Sequence, residues 1–192
     1  MLNHVGTQIL RTKNLVLRQF ETGDAENMFN NWANDRVVTR YLTWLPHTDM
    51  EVTRNVVRIW ANGYKDSNFY QWAIQERGGQ VIGSISLFDI CEEVGRCETG
   101  YCIGRYYWGR GYMTETLSAV VRFGLETVGF DRIQAMHDVR NPASGRVMIK
   151  SGLAYEGRLR RYAKNGLGEI VDVDLYAVIN LGKILKRPGE DG

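Results

Sequence analysis

The apolar residues of this chain follow two periods, and the elements change where the period changes. Leu15–Gln19 reads as a short strand. Thr22, Gly23 and Asp24 offer a helix start, with Ala25 to Trp32 behind them. Asp35 to Leu42 continues at helical spacing until Pro46 breaks it. Thr48 and Asp49 cap a longer helix, with Val52, Val56, Ile59 and Trp60 at helical spacing and Gly63 near its end. The period then drops to two. Phe69 to Glu76 and Val81 to Asp89 form a hairpin around Arg77-Gly78-Gly79-Gln80, and Cys97 to Ile103 follows as a third strand. Leu117, Val120, Val121, Gly124, Leu125 and Val128 return to one helical face, ended by Gly129. Arg132 to Asp138 is a strand. Asn141 to Lys150 is a short helix with Pro142 in its first turn, terminated by Ser151-Gly152. Leu153 to Tyr162 and Ile170 to Ile179 are the last strands, joined by Lys164-Asn165-Gly166-Leu167-Gly168. This order predicts a mixed α/β chain, neither a doubly wound sheet nor a sandwich.

Composition adds limits rather than direction. The chain has 192 residues, 44% hydrophobic and 24% charged, which suits one domain over 10–185 with a polar, frayed tail at 186–192. A formal net charge of +2 gives no reason to expect a nucleic-acid or membrane partner. No apolar run reaches the length of about 18 residues that a transmembrane helix needs. Met1 to Thr12 lacks the apolar core of a secretory signal. Cys91, Cys97 and Cys102 are odd in number and lack C-x-x-C spacing, so a reducing, cytoplasmic setting is expected. No Pro-rich linker or internal repeat divides the chain.

The richest local signal is Tyr107-Trp108-Gly109-Arg110-Gly111-Tyr112-Met113-Thr114-Glu115. Glycine lets the backbone turn tightly and present N–H groups unobstructed. The helix that starts at once leaves its first N–H groups unpaired and adds the positive end of its dipole. Together they make an anion site, most often for phosphate. The bland alternative is a plain strand-to-helix turn, with Arg110 a solvated loop residue. Other chemistry is thin. His137 alternates with Ile133 and Ala135 and reads as a satisfied strand-face histidine, and His4 and His47 are isolated. No metal-ligand cluster, P-loop lysine or Gly-x-Ser-x-Gly elbow is present.

Three segments in this order resemble the GNAT N-acetyltransferase family, in the branch of the ribosomal-protein N-terminal acetyltransferases of RimJ/RimL type. They are Glu98-Thr99-Gly100-Tyr101, the glycine segment Tyr107–Glu115, and Asn141-Pro142-Ala143-Ser144 followed by Ser151-Gly152-Leu153. The resemblance runs from about Leu15 to Ile179. Trp108 stands where the general family has Gln or Arg, and Met113 where it has Gly or Ala; both suit this branch. Leu153-Ala154 replaces an aromatic residue, which reads as a change in core packing. Thr99 stands at an apolar position and softens packing there.

The resemblance implies a central six- to seven-stranded, mostly antiparallel sheet, flanked by helices and splayed at an acetyl-CoA site. It implies direct transfer of acetyl from acetyl-CoA to an amine in a ternary complex, with no metal. Backbone N–H groups of Gly109, Arg110, Gly111, Tyr112 and Met113 would hold the pyrophosphate, with Trp108 and Thr114 in the same loop. Glu98 maps onto the base, against the reading of a surface or salt-bridged glutamate. A backbone N–H near Cys102 or Ile103 would face the oxyanion. Ser144 maps onto the acid for the leaving thiolate, against a hydrogen bond within its own helix. Asn141 would hold the pantetheine arm, against an ordinary N-cap. Tyr176 reads as core packing, and Trp32, Trp44, Trp60 and Trp72 as core or acceptor-pocket walls.

The acceptor stays open at this stage. A protein N-terminus is the family-level expectation, and a polyamine, aminoglycoside or other small amine is the rival. A non-catalytic CoA-binding module is a further alternative. The acceptor groove would be built by the helices between Thr22 and Gly63 and the loop between the last two strands. Arg158, Arg160, Arg161 and Lys164 beside it argue mildly against a polycation, although such a run is usually a solvated face. A monomer and a homodimer are both compatible with the pattern.

Overall fold

A computed structural model describes residues 1–184; the expected tail at 186–192 lies outside the described residues. The chain opens with β1 (Leu10–Arg11) and β2 (Leu15–Arg18), then α1 (Ala25–Met28), whose helix widens into a π-turn over Phe29–Ala33, α2 (Arg36–Thr39) and α3 (Met50–Gly63). The meander β3 (Tyr70–Glu76), β4 (Val81–Cys91) and β5 (Arg96–Ile103) follows. Then come α4 (Tyr112–Phe123), β6 (Arg132–Asp138), α5 (Pro142–Lys150), β7 (Ala154–Lys164), β8 (Ile170–Ile179) and α6 (Leu181–Ile184). No helix among the described residues is long and apolar enough to cross a membrane.

The strands form one eight-stranded sheet in the order β1-β2-β3-β4-β5-β6-β8-β7. Every pairing is antiparallel except β5 with β6. The sheet has one strand more than the six or seven expected. The extra one is β1, whose two residues pair Leu10 with Leu17 and Arg11 with Val16 and are too few to display a period.

Each face of the sheet has its own core. On one face Leu17, Trp72, Ile74, Ile85, Leu87, Cys97 and Ile133 pack against Leu117, Val120 and Val121 of α4 and Met148 of α5. On the other, Ala73 and Val81 meet Phe20, Ala25, Met28, Trp32 and Val57 from the α1–α3 side. Tryptophan placement follows: Trp32 and Trp72 are fully buried, while Trp44 and Trp60 pack at the margin of the α1–α3 core.

The start of α3 is where the pattern places it, because the Asp49 carboxylate accepts the N–H groups of Glu51 and Val52. Its buried face differs from the expectation. Val52 and Ile59 are exposed, whereas Thr53 and Val57 are buried and the Trp60 ring lies tilted against Phe20, 4.8 Å between centroids. A polar Thr can lie inside because its Oγ1 meets His47 Nδ1 at 2.7 Å, a partner separated by a loop. His47 is therefore not isolated. Nor is His4, which bonds the Tyr70 hydroxyl at 2.9 Å and pairs with Glu92.

Candidate active site

The parallel pair β5–β6 decides where the sheet opens. Its register holds for three residues, Arg96 with Arg132, Cys97 with Ile133 and Glu98 with Gln134, and then stops. Beyond Glu98, β5 stays paired with β4 as far as Ile103, and β6 stays paired with β8 as far as Asp138. The two halves of the sheet diverge as a V with Glu98 at its vertex. The Gly104 N–H bonds the Ile82 carbonyl at 2.9 Å. Antiparallel alternation then directs the Cys102 amide to β4 and leaves the Tyr101 and Ile103 amides facing the gap. Of the two expected amide donors, Ile103 is the one on the open side. The Cys102 thiol lies 3.5 Å from Ser84 Oγ, and burial pushes its pKa up to about 11.

At the mouth of the V the chain turns into α4. Gly109 and Gly111 have φ of +76° and +79°, a left-handed backbone that side chains disfavour, and a Cβ at either would meet nothing within 4 Å. The ground over both glycines is open. No side chain caps α4, so its first N–H groups and its positive dipole end face that space. Neighbours hold the loop in place. Trp108 Nε1 donates to the Ile103 carbonyl at 2.9 Å, tying the loop to the end of β5. Arg110 lies over the Tyr107 ring at 5.4 Å and 3.9 Å from Glu76. Glu115 accepts both the backbone and side-chain N–H groups of Asn14, fastening α4 to the β1–β2 turn. Met113 is buried, so only its backbone reaches the loop surface. Thr114 keeps its place in the first turn, its carbonyl accepting from the Ser151 hydroxyl.

Strand alternation separates two sets of side chains. Glu98, Gly100 and Cys102 face the α1–α3 side, and Cys97, Tyr101 and Ile103 face α4 and α5. Glu98 is half-buried; burial raises its pKa, and a bond from Gln134 Nε2 at 3.4 Å partly offsets this. It makes no salt bridge among the described residues. On the other face the Tyr101 hydroxyl meets Ser144 Oγ at 3.0 Å and the Ser144 carbonyl at 3.2 Å. Ser144 thus bonds across to the sheet rather than within its helix. Burial holds the Tyr101 pKa well above the ordinary phenol value. Asn141 precedes α5 but its side chain makes no capping bond, which leaves its amide available to a ligand.

Sequence reading missed Tyr101 as a partner of Ser144, and Gln134 as a partner of Glu98. The signal for Tyr101 was its place in the Glu98-Thr99-Gly100-Tyr101 motif; nothing in the sequence marks Gln134. Among the described residues His137 is only half satisfied: Nδ1 meets the Asp138 carbonyl at 2.8 Å, while Nε2 is buried without a partner and the ring stacks on Tyr176 at 5.6 Å. Tyr176 is core, as expected, and so is Leu153. Thr99 is buried, with its hydroxyl unpartnered among the described residues. In the basic run, Arg158 is tied to Asp174 at 2.8 Å. Among the described residues no group of three His, Cys, Asp or Glu is placed to hold a metal.

Comparisons with known proteins identify the family. The Acetyltransferase (GNAT) domain model matches residues 14–154. The uncharacterized N-acetyltransferase YoaA of Bacillus subtilis (strain 168) is 33% identical over 172 residues, covering 89% of this chain and 96% of that protein. The [Ribosomal protein uS5]-alanine N-acetyltransferase of Escherichia coli (strain K12) is 25% identical over 166 residues, covering 80% of this chain and 81% of that protein. The crystal structure of a GNAT-family acetyltransferase from Bacillus anthracis superposes with a TM-score of 0.79 at 25% identity, over 91% of this chain and 99% of that one. This chain belongs to the GNAT family of acetyltransferases, enzymes that take their acetyl group from acetyl-CoA.

Proposed function

We propose that the enzyme acetylates a primary amine at the end of a polypeptide, in the manner of the ribosomal-protein N-terminal acetyltransferases. The observation that carries this reading is the V in the sheet, with a half-buried carboxylate, free of salt bridges among the described residues, at its vertex and an uncapped helix start at its mouth. The distant match to the uS5-alanine acetyltransferase supports the choice of acceptor. The open ground over Gly109 and Gly111 fits a pyrophosphate. The amides of Gly109, Arg110, Gly111, Tyr112 and Met113 hold it, and the uncommitted Asn141 side chain holds the pantetheine arm. Glu98 takes the proton from the attacking amine, directly or through one water, as nitrogen adds to the thioester carbon. The Ile103 amide receives the developing oxyanion. The C–S bond then breaks, the Ser144 hydroxyl, backed by Tyr101, passes its proton to the departing sulfur and regains one from water, and Glu98 releases the amine's proton to solvent.

Acetyl-CoA at a hundred times its Kd is expected to stabilise the fold by about 2.7 kcal/mol, read as a rise in Tm. Coupled CoASH release is expected with peptides bearing a free N-terminus. No rise at millimolar acetyl-CoA would remove the cofactor assignment. Release only with polyamines or aminoglycosides would move the acceptor to small amines, and a rise without any turnover would leave a CoA-binding module.

Ser144→Ala is expected to slow kcat by about tenfold with the KM for acetyl-CoA held within twofold, at the low end of what positioned proton donors contribute. Tyr101→Phe should have a smaller effect of the same kind, since it removes one partner and not the donor. Equal rates for natural enzyme and Ser144→Ala with a substrate whose leaving thiol is poor would take Ser144 out of that role.

A further inference from the structure

On the α1–α3 side, where the acceptor must approach Glu98, the arms of the V are rejoined at their open end. The β7–β8 turn continues from the arm that holds β6, β8 and β7. There the Gly166 N–H donates to the Leu42 carbonyl at 2.8 Å, in the loop between α2 and α3. The approach has no room for a side chain. A Cβ on Gly166 would lie 2.5 Å from the Trp44 carbonyl oxygen and 3.0 Å from the Leu45 nitrogen, both backbone atoms.

Each side of this contact is anchored. The Asn165 side chain is buried and accepts the Leu167 and Glu169 amides while donating to the Glu169 carboxylate at 2.8 Å. Glu169 meets Arg140 at 3.2 Å, and Arg140 is held by Asp138 at the end of β6. Across the gap, the Leu42 N–H bonds the Thr39 carbonyl, and at the start of α2 Asp35 is tied to Arg105 at 2.9 Å. Arg140 also lies 5.9 Å from the Tyr41 ring, a second contact between the arms. Beneath the contact, the α1–α3 face of β4 and β5 carries Ser84, Ser86, Gly100 and Cys102, with the Phe88 ring beside Gly100.

We infer that this clasp makes the acceptor opening a closed ring, and that Gly166 is a specificity-determining residue that admits slender amine ends and rejects bulky ones. The inference rests on the amine-transfer reading above. A ring drawn tight by a backbone hydrogen bond limits the girth of what passes, whereas an open cleft would not. Widening it removes discrimination without touching the acetyl-CoA loop, which lies on the other face.

The test measures kcat/KM for two hexapeptides that differ only in a Ser or a Trp at the N-terminus. The natural enzyme is expected to prefer the Ser peptide. Gly166→Ala forces the turn away from Trp44 and is expected to shrink that preference about tenfold, the order of what one misfitted group is worth in a pocket. Asn165→Ala, which loosens the turn without a clash, should move the ratio in the same direction. The KM for acetyl-CoA and the Tm rise with CoA should stay within twofold and unchanged, respectively. Turnover with an unchanged ratio in both folded variants would overturn the clasp while leaving the amine-transfer reading intact. No turnover of either peptide by the natural enzyme would overturn that reading and the clasp with it.

Discussion

Glu98→Gln is expected to lower kcat by about 10²–10⁴-fold, the range over which a positioned base contributes. The substitution keeps the shape and the bond to Gln134 and removes only the ability to take a proton. Because burial raises the Glu98 pKa, the natural enzyme should lose rate as pH falls through that raised value, while the variant's residual rate should lack this limb. The stability effect has the opposite sign. A carboxyl whose folded pKa lies above its unfolded one stabilises the fold while protonated and costs stability once pH rises past the folded value. At neutral pH the variant should therefore melt at or above the temperature of the natural enzyme. A parallel loss of activity and Tm would mark Glu98 as structural. An unchanged pH–rate profile would take it out of the base role.

The second large effect is expected at Gly111. Gly111→Val places a β-branched residue at φ +79°, where the left-handed backbone costs roughly 1–3 kcal/mol. Beyond its neighbours in the chain, no atom lies within 4 Å of the added Cβ. The cost falls on the orientation of the amides that begin α4. Each lost bond to a charged group is worth about 1.5–3 kcal/mol, so the KM for acetyl-CoA should rise by about 10–100-fold. Gly111→Asn should lose less, because Asn tolerates the left-handed region. Isothermal titration with CoA separates this from a catalytic defect. Unchanged affinity in Gly111→Val would detach the loop from the pyrophosphate.

Much of this was legible from residue order, for a local reason. The positive-φ glycines, the uncapped start of α4 and the Asp49 cap of α3 depend on neighbours within a few positions, and those neighbours can be read in line. The limits of β3 and β8 follow from period-two runs bounded by turn residues. The face of α3 was not legible, because Thr53 becomes a buried residue only through His47, which the fold brings alongside. Val52 and Ile59 satisfy the helical period yet face outward. The strand β1 was invisible because two residues carry no period. His137 looked satisfied because alternation reports which face a side chain takes and not whether each nitrogen finds a partner.

What the sequence alone determined about this enzyme is local: glycine conformations, free helix-start amides and a motif whose order marks the family. What only the tertiary structure decided is the arrangement around the V. Three registered pairs between strands far apart in the chain set its vertex at Glu98, and hydrogen-bond parity turned the Ile103 amide, not that of Cys102, toward the gap. Tyr101 found Ser144, and Gly166 found Leu42, across separations that no local pattern spans. Backbone conformation is a property of a few adjacent residues. Which strand ends meet and which diverge depends on the packing of both cores at once.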